Sequence, residues 1–130
     1  MREIKFRAWD KEDKVMIYMQ DYKPQTFFED LFARENGKKD LFPKYTMQYT
    51  GLKDKVGKEI YEGDIVRHIR DIVRHIRMGA EPSEIIFEEG CFKRRCYPDN
   101  SNNVLMYFMD NFEVIGNIYE NPEILESEPK

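Results

Sequence analysis

The stretch QYTGLKDKVGKEIYEGDIV, from Gln48 to Val66, constrains the fold more than any other part of the chain. Gly51 marks a bend. Asp54 to Gly57, DKVG, reads as a type I turn with its glycine in the left-handed region, joining strand ends around Leu52 and Ile60. Glu62-Gly63-Asp64 makes a second tight corner before Ile65 and Val66. Short strands punctuated by glycine corners point to a small, strongly bent antiparallel sheet or barrel. Val56 sharpens the turn type. A β-branched residue resists positive φ, so a two-residue type I′ turn is disfavoured, whereas a three-residue turn with only Gly57 left-handed costs little.

The flanking segments extend this pattern. In residues 2–9, Ile4, Phe6 and Ala8 alternate with Glu3, Lys5 and Arg7, the period of a half-buried strand with its charges outward. Residues 10–14, DKEDK, read as a turn and Val15 to Met19 as a second strand, giving an opening hairpin. After Pro24, TFFEDLFARENG has the grammar of a short helix. Thr26 is the candidate cap with Glu29 closing a capping box, Phe27, Phe28, Leu31 and Phe32 form the apolar stripe, and Gly37 is the stop. Four such residues at that spacing are ordinarily core.

Further on, EIIFEEGCFKRRCY predicts strand, turn and strand, with the turn at Glu88 to Gly90. Asp99 to Asn103 reads as a polar loop, and Val104 to Met109 and Phe112 to Tyr119 as two more strands. Pro122 and the acidic end predict a final turn and a frayed tail.

Three blocks resemble the YopX family of phage and prophage proteins: REIKFRAWD (Arg2 to Asp10), the central Gln48 to Val66 block, and FEVIGNIYENPE (Phe112 to Glu123). Together they span nearly the whole chain. The resemblance implies a compact, mainly β domain with a small SH3-like antiparallel barrel or roll at its heart; with the short N-terminal helix read above, the expected class is mainly β (α+β). On that basis residues 1–130 are expected to form one domain. Residues 1–44 would hold the N-terminal strands and helix, 45–120 the β core, and 121–130 an acidic tail. The resemblance brings no catalytic residues, because the family is functionally uncharacterised. The aromatic and glycine positions it supplies, Trp9, Tyr49, Gly51, Gly57, Tyr61, Gly63, Gly116 and Tyr119, read equally well as corners and core.

DIVRHIR occurs twice in succession, at Asp64 to Arg70 and at Asp71 to Arg77, and holds both histidines, His68 and His75. Seven is odd, so on one continuous strand the apolar residues of the two copies would face opposite sides. On a helix seven residues drift only about 20°, and the six apolar positions make one stripe. Three readings stay open: an amphipathic helix over the whole repeat, a strand followed by an irregular or helical excursion, or an extended two-stranded excursion broken by a bulge.

The remaining question is what such a chain does. At 130 residues it is long enough to bury a core without disulfides. Its 41% apolar content supplies that core, and 35% charged residues exclude a membrane-embedded or core-poor chain. The first residues carry no apolar signal core, so export is not expected and the bacterial host cytoplasm is the expected compartment. With 21 basic against 25 acidic residues, nothing pulls the chain globally toward nucleic acid.

Two local basic groups remain candidate nucleic-acid or partner contacts: Arg67, Arg70, Arg74 and Arg77, and Lys93, Arg94 and Arg95 beside Phe92 and Tyr97. They read as well as solvating charges with glutamates near them. Cys91 and Cys96, with the histidines, fit no common zinc spacing, so no metal or other cofactor is expected. Asp10, Glu62 and Asp64 lie at strand ends, where charged turns are ordinary, and no nucleophile or phosphate-loop motif is present. No catalytic residue is assigned. The expectation is a non-enzymatic protein-binding or regulatory module, using a partner protein or self-association, with nucleic-acid binding as the alternative and a small hydrolase as the remote one.

Overall fold

A computed structural model describes residues 3–34, 45–68, 82–96, 102–104 and 112–126. The chain divides into two compact units, Met1–Tyr49 and Thr50–Lys130.

In the first unit, β1 (Phe6–Asp10) and β2 (Val15–Tyr18) form the expected hairpin. Its turn is built from the charged run itself. Asp10 Oδ1 accepts the amides of Glu12 and Asp13, both at 3.0 Å, and Lys14 takes a left-handed φ of 56°. Met19 leaves the strand to begin a 3-10 helix, Met19–Asp21. The helix α1 (Pro24–Arg34) follows.

Thr26 does not cap that helix. Pro24 starts it, because its fixed φ suits the first helical position and its missing N–H leaves no orphan donor there. Thr26 then lies inside the first turn, where its hydroxyl donates to the Lys23 carbonyl at 2.8 Å, so the capping box with Glu29 does not form. The apolar stripe is as expected. Phe27 and Leu31 are buried with Ala8 and Ile17, and Phe6, Met19, Tyr22 and Phe28 pack around them. The Phe32 side chain and Gly37 lie outside what is described.

The outward-facing charges of β1 are corrected. Lys5 and Arg7 are buried, Arg7 to 2% exposure. Phe6 and Ala8 do lie on the core side, but Ile4, expected there with them, precedes the strand and is 55% exposed, and β1 is a central strand. Arg7 lies opposite Tyr18 on one side and Met47 on the other, so neighbouring side chains cover the second face too. The cations survive there over rings: the Lys5 ammonium is 4.9 Å from the Tyr49 centroid and 3.3 Å from Glu3, and the Arg7 guanidinium is 6.0 Å from the Tyr18 centroid.

The strand β3 (Thr46–Lys53) carries the chain from the first unit into the second. Its first half pairs with β1, and its second half neighbours β4 (Glu59–Tyr61), giving the order β2-β1-β3-β4. The three-residue turn between β3 and β4 forms as predicted. Gly57 sits at φ 90°, its amide donates to the Asp54 carbonyl, and the Asp54 amide donates to the Lys58 carbonyl.

Glu62-Gly63 then turns the chain out of this sheet into β5 (Asp64–His68). The corner is held at three points. Asp64 Oδ2 accepts the Tyr61 amide at 2.8 Å, the Gly63 amide donates to the Ile85 carbonyl, and the Gly63 carbonyl accepts the Ile118 amide. The second antiparallel sheet adds β6 (Ser83–Glu88), β7 (Cys91–Cys96), β8 (Asn102–Val104) and β9 (Phe112–Asn117) in the order β8-β7-β6-β5-β9. Ile65 and Val66 are adjacent and both fully buried, so both faces of β5 are covered. The register shifts between them against β9, where Ile115 is the extra residue. Ile60, Val66, Ile85 and Phe112 form the core of this unit, with Leu52 and Val114 against it.

Three sequence expectations change here. Asn102 and Asn103, read as loop, form β8 with Val104, because their partners Arg95 and Arg94 extend the ladder; residues 105–110 lie outside the described set. The first copy of the repeat is strand through His68, which excludes one helix across both copies. Residues 69–81, with the second copy, are outside the described residues. Past β9 the acidic end makes a single helical turn, α2 (Glu123–Glu126).

Candidate functional site

The basic residues chosen from the sequence can be placed from strand parity alone. On a strand, alternate residues share a face, so Phe92 and Arg94 go one way and Lys93 and Arg95 the other. Register with β6 decides which face is which. Arg94 lies opposite Ile85, and Phe92 opposite Phe87, while Lys93 and Arg95 lie opposite Ile86 and Glu84. Ile85 and Ser83 are buried, so Arg94 belongs to the core side. Its guanidinium is 4.9 Å from the Phe112 centroid and donates to Ser83 Oγ at 3.3 Å. Arg94 therefore braces β6 and β7 against the start of β9.

The other two cations are matched by acids of the same hairpin. Lys93 donates to Glu89 at 2.6 Å, and Arg95 is 3.5 Å from Glu88. The hydrogen bond and charge of Lys93 hold the Glu89 carboxyl below its usual range, and the bond to Glu89 holds Lys93 above its own. The triplet is thus split between two faces rather than gathered into one patch. Arg67 is exposed on β5 opposite Glu113. Arg70, Arg74, Arg77 and Tyr97 lie outside the described residues.

Where the hairpin turns, the arrangement is different. Glu89 and Gly90 take φ of 56° and 82°, as a two-residue turn of I′ type requires. Directly below it Phe87 and Phe92 face each other across the strands, edge to face, with centroids 5.0 Å apart. Phe87 remains 50% exposed. A large ring is thus presented to solvent and held by a second ring, on a turn whose geometry is locked.

The candidate acids are occupied locally. Asp10 holds its hairpin turn and Asp64 holds the corner before β5. Cys91 and Cys96 end the same strand, about 16 Å apart by strand rise, too far for a mutual disulfide or a shared metal. Among the described residues no three His, Cys, Asp or Glu side chains cluster as metal ligands, and no helix is long and apolar enough to cross a membrane.

Sequence reasoning missed Asp54 as more than a turn residue. It is buried, and its Oδ1 accepts the amides of Val56 and Lys58 while Oδ2 accepts that of Val114 at 2.9 Å. The local bonds are readable from an Asp three residues before a Gly; the third has no signature in the sequence. Asn117 is similar. Its Oδ1 accepts the Tyr119 and Glu120 amides, and Asn121 reaches back to the Asn117 amide.

The model of the family described as YopX protein matches residues 5–126. Among solved structures the chain is similar to protein EF1440 from Enterococcus faecalis, at 29% identity and a TM-score of 0.60, covering 96% of this chain and 99% of that one. It is also similar to protein yopX from Bacillus subtilis, at 24% identity and a TM-score of 0.54, covering 93% and 97%, a likeness of fold. No curated protein matches.

Proposed function

The chain belongs to the YopX family, and on that premise we propose that it is a non-enzymatic protein-binding module that meets its partner through the tip of the β6–β7 hairpin. The exposed Phe87, braced edge-to-face by Phe92, carries this reading. Rigid aromatic side chains that lose little entropy on contact are the usual energetic centres of protein interfaces. The charge pairs Lys93–Glu89 and Arg95–Glu88 engage side chains of the opposite face of the same hairpin and leave Phe87 as the apolar group at its tip. The engagement of Asp10 and Asp64 in turns supports a structural role for the acids at strand ends.

The finer picture is part of the same proposal: a phage or prophage protein working in the bacterial cytoplasm, with an SH3-like small barrel in its second unit. The short strands and the left-handed Gly51, Gly57 and Gly63 corners support that barrel. Nucleic acid is the competing partner, and the division of the basic triplet between two faces speaks against it.

Photo-crosslinking from position 87 in producing cells, compared with the same chemistry at exposed Val56, tests the proposal. The expected result is a discrete protein adduct from 87 only, and a loss of partner retention of roughly tenfold or more in Phe87→Ala. Equal adducts from both positions, or retention unchanged in Phe87→Ala, would overturn it. Salt-sensitive binding of labelled DNA or RNA in place of a protein adduct would establish the competing reading.

A further inference from the structure

The β5 slot is described residue by residue. Asp64 receives the Tyr61 amide, Ile65 and Val66 are fully buried, and Arg67 and His68 pair in register with Glu113 and Phe112. The sequence contains a second set of the same five residues in the same order, Asp71 to His75, seven positions later. We infer that β5 has two registers, and that Asp71–His75 can take the slot that Asp64–His68 occupies.

A slip by an odd number ordinarily turns every side chain to the wrong face of a sheet. Here it does not, because each position receives a residue identical to the one it lost. Asp71 replaces Asp64, Ile72 replaces Ile65, Val73 replaces Val66, Arg74 replaces Arg67 and His75 replaces His68. The pairing with β6 and β9 is therefore conserved side chain for side chain. What changes is the chain on either side: the corner after Tyr61 gains seven residues, and the connection before Ser83 loses them. Closure entropy varies slowly with length and opposes the first change while favouring the second.

The corner selects between the registers. In the observed one Gly63 precedes Asp64 at φ 85°, and its amide and carbonyl bond to Ile85 and Ile118. In the shifted one Arg70 stands in that place, where positive φ is unfavourable for a residue with a Cβ. The bond from Tyr61 to the slot's aspartate is lost as well. The first copy is thus the ground state, and the second a reserve that occupies the slot when the first is damaged.

Val66→Asp tests this, because it puts a charge where exposure is zero. A chain with two registers moves the introduced carboxylate into the lengthened corner and Val73 into the core. The single variant should keep a cooperative unfolding transition with its midpoint lowered by roughly 5–20 °C, whereas Val66→Asp combined with Val73→Asp should show none. A single variant as unfolded as the double, or a double as folded as the single, overturns the inference. Register is read directly by oxidation in chains with Cys91 and Cys96 replaced by Ser. Glu113→Cys should bridge to Arg67→Cys in the otherwise unaltered chain, and to Arg74→Cys when Val66→Asp is present. A Val66→Asp chain that bridges only 67 to 113, or forms neither bridge, overturns it as well.

Discussion

Two hairpin turns in the second unit reverse the chain by opposite means. The turn from Asp54 to Lys58 relaxes its backbone by using three residues, leaves only Gly57 left-handed, and fastens itself with a buried carboxylate that also reaches β9. The turn at Glu89 and Gly90 uses two residues, forces a glutamate into the left-handed region, and carries an ion pair from that exposed glutamate to the largely covered Lys93. The first is held by tertiary structure and tolerates Val56 at 73% exposure. The second is held by its own backbone and by the two phenylalanines beneath it. A turn tied into the core is sensitive to its side chains, whereas one standing clear of it is sensitive to φ.

The largest expected effect is at Asp54. Asp54→Ala removes the acceptor of three amides, and should destabilise the chain by about 2–4 kcal/mol in urea unfolding with an unchanged m-value. A loss under about 1 kcal/mol would erase the distinction between the turns, because the carboxylate would then be ornament on a self-sufficient loop.

The second effect has the opposite sign. Glu89→Gly relieves a left-handed non-glycine residue and should raise the thermal midpoint by about 2–4 °C, although the pair with Lys93 is lost. A lowered midpoint instead would mean that the ion pair, rather than the backbone, holds that turn.

The smallest effect concerns protons. Glu89 is held below the usual carboxylate range by Lys93, so its contribution is present above the unfolded carboxylate value, about 4.3. It is lost as pH falls through the lower folded value. Lys93→Met should return the Glu89 titration to the ordinary range in a carboxyl-detected NMR experiment, with little change in stability because the exposed Glu89 end of the pair is screened by solvent and methionine keeps the packing of the lysine stem. An unmoved titration would assign the shift to the turn's amides.

The same contrast explains what could be read from the sequence. Turns and corners were legible because Gly57, Gly63 and Gly90 satisfy local conformational demands that no distant residue alters. The helix stripe was legible because spacing alone puts Phe27 and Leu31 on one face. Lys5 and Arg7 were misjudged because alternation tells which residues share a face, and only the sheet order tells whether that face is covered. Thr26 lost to Pro24 because two start signals stood two residues apart and the stiffer one prevailed. In the candidate site, the parity of CFKRRC was available and separates Arg94 from its neighbours. Its bracing of Phe112 was not, since it depends on β5 lying between β6 and β9.

That strand order has a consequence for synthesis. β5 emerges from the ribosome long before β9, its partner along one entire edge, and the Asp54 bond to Val114 spans 60 residues. Until Phe112–Asn117 has been translated, the nascent chain carries a hydrophobic strand with an open flank, the kind of template that recruits other strands. The interval between making β5 and making β9 is therefore the vulnerable period in this protein's life, and slowing translation across it should cost soluble yield more than slowing it anywhere upstream.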